Sequence, residues 1–477
     1  MTRRIAAIDQ GTTSTRILVA EGNRAEVVHA LPHEQHYPAP GRVEHDPEEL
    51  IANIEACLAA AGPLDAIGID NQGESCLAWD AVTRRALSPV IVWQDDRTAD
   101  VTEALKAGGH EALTLERAGL PLDPYFSASK LGWIMAHVPE AGAALAAGRL
   151  RLGTTDAFFL DRLAGRFQTD VTTASRTSLM NLATGDWDDA LCALFGVPRA
   201  ALPPIRPTVA DHGAITVAGR PVPVTASVVD QQASLYGHGC REAGDAKVTF
   251  GTGAFALAVT GPTMRRAPGE GLLPTIAWQR AGGAITYALD GGVYTAGSAM
   301  DWARRLGLFA DYADIDDFEG PPAIERGLVF VPALAGLACP HWQRDAAGLW
   351  LGLTLDTGPR DLARAVLEGV ALRTAEVVHA MAGHVPLGAE VSIDGGMARN
   401  AYFCRFLALV LGRPVVARGA GELTALGTAL LAGAPDDLTL AGAGPDRRSL
   451  PEGDGAPARA RFAEAIRMAR AWGRHGL

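Results

Sequence analysis

Apolar residues in the first part of the chain come in short blocks. Ile5–Ile8 and Ile17–Ala20 each have the length and β-branched content of a strand, and the polar stretch between them predicts a hairpin. Beyond it the pattern alternates. Ala66–Asp70 is a strand, Ala128–His137 carries apolar residues at helical spacing, and Arg151–Leu163 is predicted as a further helical stretch. Pro203, Pro204 and Pro207 mark an irregular connection, after which Val222–Val229 forms a strand that passes at Asp230 into a helix. At Lys247–Phe250 and Ala254–Val259 the order strand, small-residue tip, strand returns. Val391–Ile393 then leads through Asp394-Gly-Gly-Met into a helix from about Ala398 to Leu411, and a loop over Gly442–Ala458 precedes a last helix at Arg459–Trp472. The repeat predicts an α/β chain of two related lobes, 1–240 and 241–477.

Composition narrows the class. At 477 residues the chain exceeds what one core usually supports, and 48% hydrophobic with 20% charged residues is ordinary globular material. A net charge of −12 argues against a nucleic-acid surface, which needs a basic patch. The six cysteines are scattered without a CxxC pair, the reading of reduced thiols in the cytoplasm, and no run approaches the roughly 18 apolar residues of a membrane span.

The hairpin tips carry the chemistry. In Asp9-Gln-Gly-Thr-Thr-Ser-Thr-Arg a carboxylate ends the first strand, Gly11 admits a ligand close to the backbone, and Thr12, Thr13 and Ser14 offer hydroxyls to phosphate oxygens. The chain contains no GxxxxGK[ST]. The second tip, Gly251-Thr-Gly-Ala-Phe-Ala, satisfies GxGxxA, but the residues after it read as a strand where a dinucleotide motif needs a helix. Asp230, with Gln231 and Gln232 beside it, is placed to accept a hydroxyl proton, although an Asp at a helix start also serves as a cap. Asp9 is a candidate to hold magnesium through water.

Nine segments together resemble the FGGY family of carbohydrate kinases and, within it, glycerol kinases: the first tip; Asn71-Gln-Gly-Glu-Ser; Trp93-Gln-Asp-Asp-Arg-Thr; Tyr125-Phe-Ser-Ala-Ser-Lys-Leu-Gly-Trp; Thr173-Ala-Ser-Arg-Thr; Asp230-Gln-Gln; Phe250-Gly-Thr-Gly; Phe330-Val-Pro-Ala; and Asp394-Gly-Gly-Met. The resemblance implies two ribonuclease-H-like lobes of the actin and hexokinase type, with ATP and Mg2+ in the cleft between them. It implies Asp230 as general base and as a metal-side carboxylate with Asp9. Thr12, Thr13, Ser14, Arg16, Gly251, Thr252, Gly297, Asp301, Gly396 and Asn400 then fall on the nucleotide, and Gly73, Glu74, Trp93, Tyr125, Asp230, Gln231 and Phe255 on the acceptor. The expected activity is phosphorylation of a primary hydroxyl of a small polyol or sugar. Homodimers are common among similar kinases, so self-association is the macromolecular partner the resemblance offers.

Two positions depart from the pattern. Asp301 stands where many relatives place a glutamine near the adenine. Gly73 stands where glycerol kinases usually carry an arginine that binds substrate hydroxyls. Charge-assisted hydrogen bonds are worth about 1.5–3 kcal/mol each, roughly ten- to hundredfold in affinity. Without them glycerol competes with erythritol, xylulose or ribulose as the expected acceptor, and a non-catalytic sensor of nucleotide or sugar is the alternative from another class.

Overall fold

A computed structural model of the chain describes residues 2–267 and 269–473. Strand β1 (Arg4–Gln10) turns at Gly11 into β2 (Ser14–Glu21), and the antiparallel pair closes at Gln10↔Thr15. β3 (Arg24–Pro32) extends the meander. On the other side of β1 lies β4 (Ala66–Asn71), parallel, with Asp9 opposite Asp70. β4 is buried at all six positions, as a strand covered on both faces must be. β5 (Ala214–Val217) and β6 (Arg220–Val229) follow, and β6 runs parallel to β4 with Val229 opposite Asn71. The sheet order is β5-β6-β4-β1-β2-β3, with Thr439–Leu440 at the edge.

Helix α1 (Pro47–Ala61) covers one face. Asp46 caps it by accepting from the Glu48 amide at 2.9 Å, Pro47 supplies the first turn, and Leu50, Ile51, Ile54, Cys57, Leu58 and Ala61 make its buried stripe. Helix α2 (Asp230–Gly237) begins where β6 ends and packs on the helix Leu423–Leu431. That contact is backbone against backbone. A Cβ on Gly427 would stand 1.9 Å from the Ala233 carbonyl oxygen, and one on Gly237 1.9 Å from that of Leu423.

The second sheet repeats the centre of the first: a parallel strand lies beside the first strand of the hairpin with another beyond it, and one strand lies beside the second. β7 (Ala246–Phe250) and β8 (Ala254–Gly261) form its hairpin, followed by β9 (Leu273–Gln279) and β10 (Ile285–Val293). β11 (Val391–Gly395) runs parallel to β7 with Thr249 opposite Asp394, and β12 (Val415–Ala417) and β13 (Arg447–Ser449) complete the order β9-β10-β8-β7-β11-β12-β13. Helices α3 (Gly297–Arg305), α4 (Pro359–Ala382) and α5 (Ala401–Leu411) belong to this half. Two compact units result. The first runs through Gly239 and takes back Thr275–Tyr287 and Glu422–Gly442; the second holds Cys240–Pro274, Ala288–Gly421 and the chain from Ala443.

Several expectations change. The first unit takes back two segments from beyond residue 240, and the second of them carries Leu423–Leu431 onto α2. Arg151 lies in a strand, Leu150–Thr154, and the helix begins only at Thr155, since Leu150–Thr154 pairs antiparallel with Cys76–Asp80. The expected loop over 442–458 contains β13, an antiparallel edge to β12. A 3-10 turn at Met397–Arg399 precedes α5, whose N-cap is Asn400.

Candidate active site

Three neighbouring parallel strands, β1, β4 and β6, end together, and their last residues assemble the candidate groups of the first unit. Ligands of open α/β sheets gather at such strand ends. Asp9 and Asp70 sit side by side in register, both buried, at 8% and 0% exposure. Burial holds both carboxyls above the usual carboxylate range, Asp70 well above, and their mutual repulsion pushes the same way for Asp70; Arg16 pulls Asp9 down in part. Thr428 donates to Asp70 Oδ2 at 2.7 Å, while Asp70 Oδ1 takes no hydrogen bond from the described residues. A proton shared with Asp9 answers both facts.

The tip is pinned from several sides. The Gly11 amide donates to the Ser14 carbonyl at 3.0 Å, and the indole of Trp93 donates to Thr12 Oγ1 at 3.1 Å. The Thr13 carbonyl accepts from the His33 amide at 3.2 Å. Arg16 donates to Ser14 Oγ at 2.8 Å, pairs with Glu422, and lies 3.8 Å from Asp9. Glu422 comes from 406 residues away and belongs to the same unit.

Beyond β4 the chain makes a tight γ-turn. The Ser75 amide reaches the Gly73 carbonyl at 2.7 Å, and Glu74 sits at φ +60°. A non-glycine residue in that region is strained, and such strain collects at functional sites. Arg176 Nε donates to Glu74 Oε1 at 2.7 Å, its guanidinium over the Phe126 ring, both residues buried. Trp93 and Tyr125 meet edge to face, with centroids 5.6 Å apart. At the end of β6, Val229 rather than Asp230 occupies the cap position of α2, and the Asp230 carboxylate accepts from the Gln231 amide at 2.6 Å. Proximity to Asp230 is a further charge that raises Asp70.

The second unit presents its own tip. The Thr252 carbonyl accepts from the amides of Ala296 at 2.9 Å and Ser298 at 3.1 Å, and Gly297 donates to the Gly251 carbonyl at 3.0 Å. Gly297 must be glycine there, because a Cβ would lie 2.5 Å from the Gly251 oxygen. Gly396 faces open space and donates to the Phe250 carbonyl at 3.1 Å. Asp301 accepts from the Tyr312 hydroxyl at 2.7 Å, and burial with that partnership pushes the phenol to about 12. Asn400 spends both ends of its amide on backbone, accepting from Phe403 at 2.7 Å and donating to Ile315 at 2.7 Å. Phe255 lies on β8 opposite Thr249. Thus Asp9, Thr12, Thr13, Ser14, Arg16, Gly73, Glu74, Trp93, Tyr125, Asp230 and Gln231 lie in the first unit, and Gly251, Thr252, Phe255, Gly297, Asp301, Gly396 and Asn400 in the second.

Comparison with known proteins places this geometry. The FGGY family of carbohydrate kinases matches in both parts, its N-terminal domain over residues 4–237 and its C-terminal domain over 246–434. The chain belongs to the FGGY family of carbohydrate kinases. Among its relatives, a glycerol kinase of Methylobacterium nodulans is 43% identical over 91% of this chain and 89% of its own length, and one of Thermus brockianus 44% over 89% and 88%. Among solved structures, Plasmodium falciparum glycerol kinase with ADP superposes with a TM-score of 0.90 at 28% identity, covering 98% of both chains. A xylulose kinase from Rhodospirillum rubrum gives 0.85 at 27%, again with 98% of both chains covered. The fold is therefore the two-domain α/β fold of actin and hexokinase-type ATPases, and this FGGY chain is an ATP-dependent carbohydrate kinase.

Asp70, Glu422 and Arg176 were not among the candidates drawn from sequence. For Asp70 a signal existed, since it ends a strand read from its pattern, as Asp9 does. Arg176 stood inside the segment Thr173-Ala-Ser-Arg-Thr without a task. For Glu422 no local signal existed.

Proposed function

We propose that this kinase transfers the γ-phosphoryl group of ATP to a primary hydroxyl of glycerol, with Asp230 as the base. The observation that carries the reading is the convergence of Asp9, the strained Glu74 turn and Asp230 on three adjacent strand ends. Phosphoryl transfer asks the protein mainly for positioning and charge compensation. Glu74, oriented by Arg176, accepts from acceptor hydroxyls, while Trp93 and Tyr125 wall the acceptor site and Gln231 adds a contact to it. Asp230 takes the proton from the attacking hydroxyl. Thr12, Thr13, Ser14 and Arg16 in the first unit, and Gly251 and Thr252 in the second, meet phosphates; Gly297, Asp301, Gly396 and Asn400 support the nucleoside end, Asn400 by holding backbone.

The residues fit a magnesium ion. Asp9 brings a buried carboxyl whose pKa is raised by desolvation, which a cation would relieve. Among the described residues no group of three or more His, Cys, Asp or Glu forms a cage, which suits an ion held by one or two carboxylates, water and phosphate. Asp9, with Asp230, would hold it, and when bound it supplies neutralisation of phosphate charge.

A cytoplasmic setting is supported by six buried cysteines without a disulfide, and no helix among the described residues is long and apolar enough to cross a membrane. A homodimer is the proposed assembly, checked by sedimentation. The function is tested by coupled ADP release over C3 to C6 polyols and ketoses. Glycerol gives turnover, and Asp230→Asn lowers kcat at least about a hundredfold with the KM for ATP unchanged. Near-normal turnover in that variant removes Asp230 from the role.

A further inference from the structure

Val229 leaves no room for a side chain at Gly73. A Cβ built on Gly73 would stand 2.8 Å from Val229 Cγ2, well inside contact distance. Val229 cannot step aside cheaply. It is 2% exposed, its amide accepts no freedom because it donates to Thr172 Oγ1 at 2.9 Å, it is paired in register with Asn71, and its β-branched side chain has few rotamers. The turn on the other side is equally held, by the Gly73 carbonyl accepting from Ser75 and by the Gln72 amide donating to the Gln10 carbonyl at 2.9 Å. Each member of the pair lies one residue from a group with a task in the reaction, Gly73 beside Glu74 and Val229 beside Asp230.

We propose that Gly73 and Val229 form a steric pair that sets acceptor selectivity. While Val229 is present, position 73 carries no side chain. The acceptor then meets an uncharged edge there, and its hydroxyls are held from the Glu74 side, where Arg176 fixes the carboxylate. An edge that offers carbon instead of a guanidinium discriminates weakly among linear polyols of three to five carbons, so glycerol and a C4 polyol such as erythritol are turned over with kcat/KM within about tenfold of each other. The inference rests on the kinase reading above and adds Val229 as its specificity-determining residue.

Two mutant cycles test it. In the first, thermal midpoints are measured for Gly73→Ala, Val229→Ala and the double variant. Gly73→Ala lowers Tm in the natural background and leaves it unchanged in the Val229→Ala background. In the second, Gly73→Arg is combined with Val229→Ala. The double variant lowers the KM for glycerol at least tenfold relative to Val229→Ala alone and raises the preference for glycerol over erythritol by the same factor, with the KM for ATP within twofold, whereas Gly73→Arg alone brings no such gain. Additivity in either cycle, or a glycerol KM that ignores the second residue, overturns the pairing. If the natural chain releases ADP with no polyol, the acceptor reading fails instead, and the Tm cycle still reads the steric pair.

Discussion

At the scale of single residues, the site is built on buried polar groups whose cost is only partly met. Asp70 is the clearest case, a buried carboxyl beside Asp9 with one oxygen unserved. Asp70→Asn lets the amide accept from Thr428 and donate to Asp9, so stability to urea rises by about 1–3 kcal/mol, while Asp70→Ala, which loses the Thr428 bond, falls. A lower midpoint for Asp70→Asn sinks the shared-proton account. His45, 1% exposed, gives a pH dependence of known sign. Burial first, then the charges of His33 and His36, push its pKa down to about 3. A histidine depressed in the folded state binds more protons when unfolded, so its contribution is intact above about 6.5 and is lost as pH falls from there toward 3, at up to about 1.4 kcal/mol per pH unit. His45→Gln keeps an acceptor for Gln72 Nε2, which lies 3.1 Å from His45 Nδ1, and flattens that limb between pH 6.5 and 5. Equal slopes for the two proteins count against it.

At the scale of elements, helix α2 is aimed by what it leans on. Gly237 and Gly427 let α2 and Leu423–Leu431 approach until backbone touches backbone, and this fixes the direction in which Asp230 leaves β6. Gly427→Ala places a methyl 1.9 Å from the Ala233 oxygen. The helices must part, at a cost of about 1–3 kcal/mol or more, with kcat falling further than the KM for ATP; a variant of unchanged Tm and kcat overturns the assignment. Elements with a strong local pattern were legible in the sequence: both hairpins, the strand before Asp230 and the helix that follows it. Arg151 and Arg447–Ser449 were not, because a strand of three to five residues at mid-range hydropathy is made by its partner, Cys76–Asp80 in one case and β12 in the other.

At the scale of the whole molecule, two sheets with the same arrangement at their centres accompany two units, each of which is discontinuous in sequence. A fragment ending at residue 240 lacks Leu423–Leu431 and the edge strand Thr439–Leu440, and it exposes the glycine face of α2. Expressed alone it fails to show a cooperative thermal transition, and appending residues 422–442 through a flexible linker restores one. A cooperative transition in the shorter fragment argues that the returning helix is dispensable. Nothing near residue 240 announces this return, since contacts between segments some 200 residues apart leave no period in either.

The chain by itself determined the α/β class and the duplicated hairpin and offered Asp9 and Asp230 as candidates, because turn chemistry, strand period and residue type act over a few neighbours. Tertiary structure alone decided what surrounds them. The Asp9 and Asp70 pair, the Arg16 and Glu422 bridge and the Gly73 and Val229 steric pair each join strands or turns far apart in sequence, and register and burial, which no local pattern encodes, set their charge and their room.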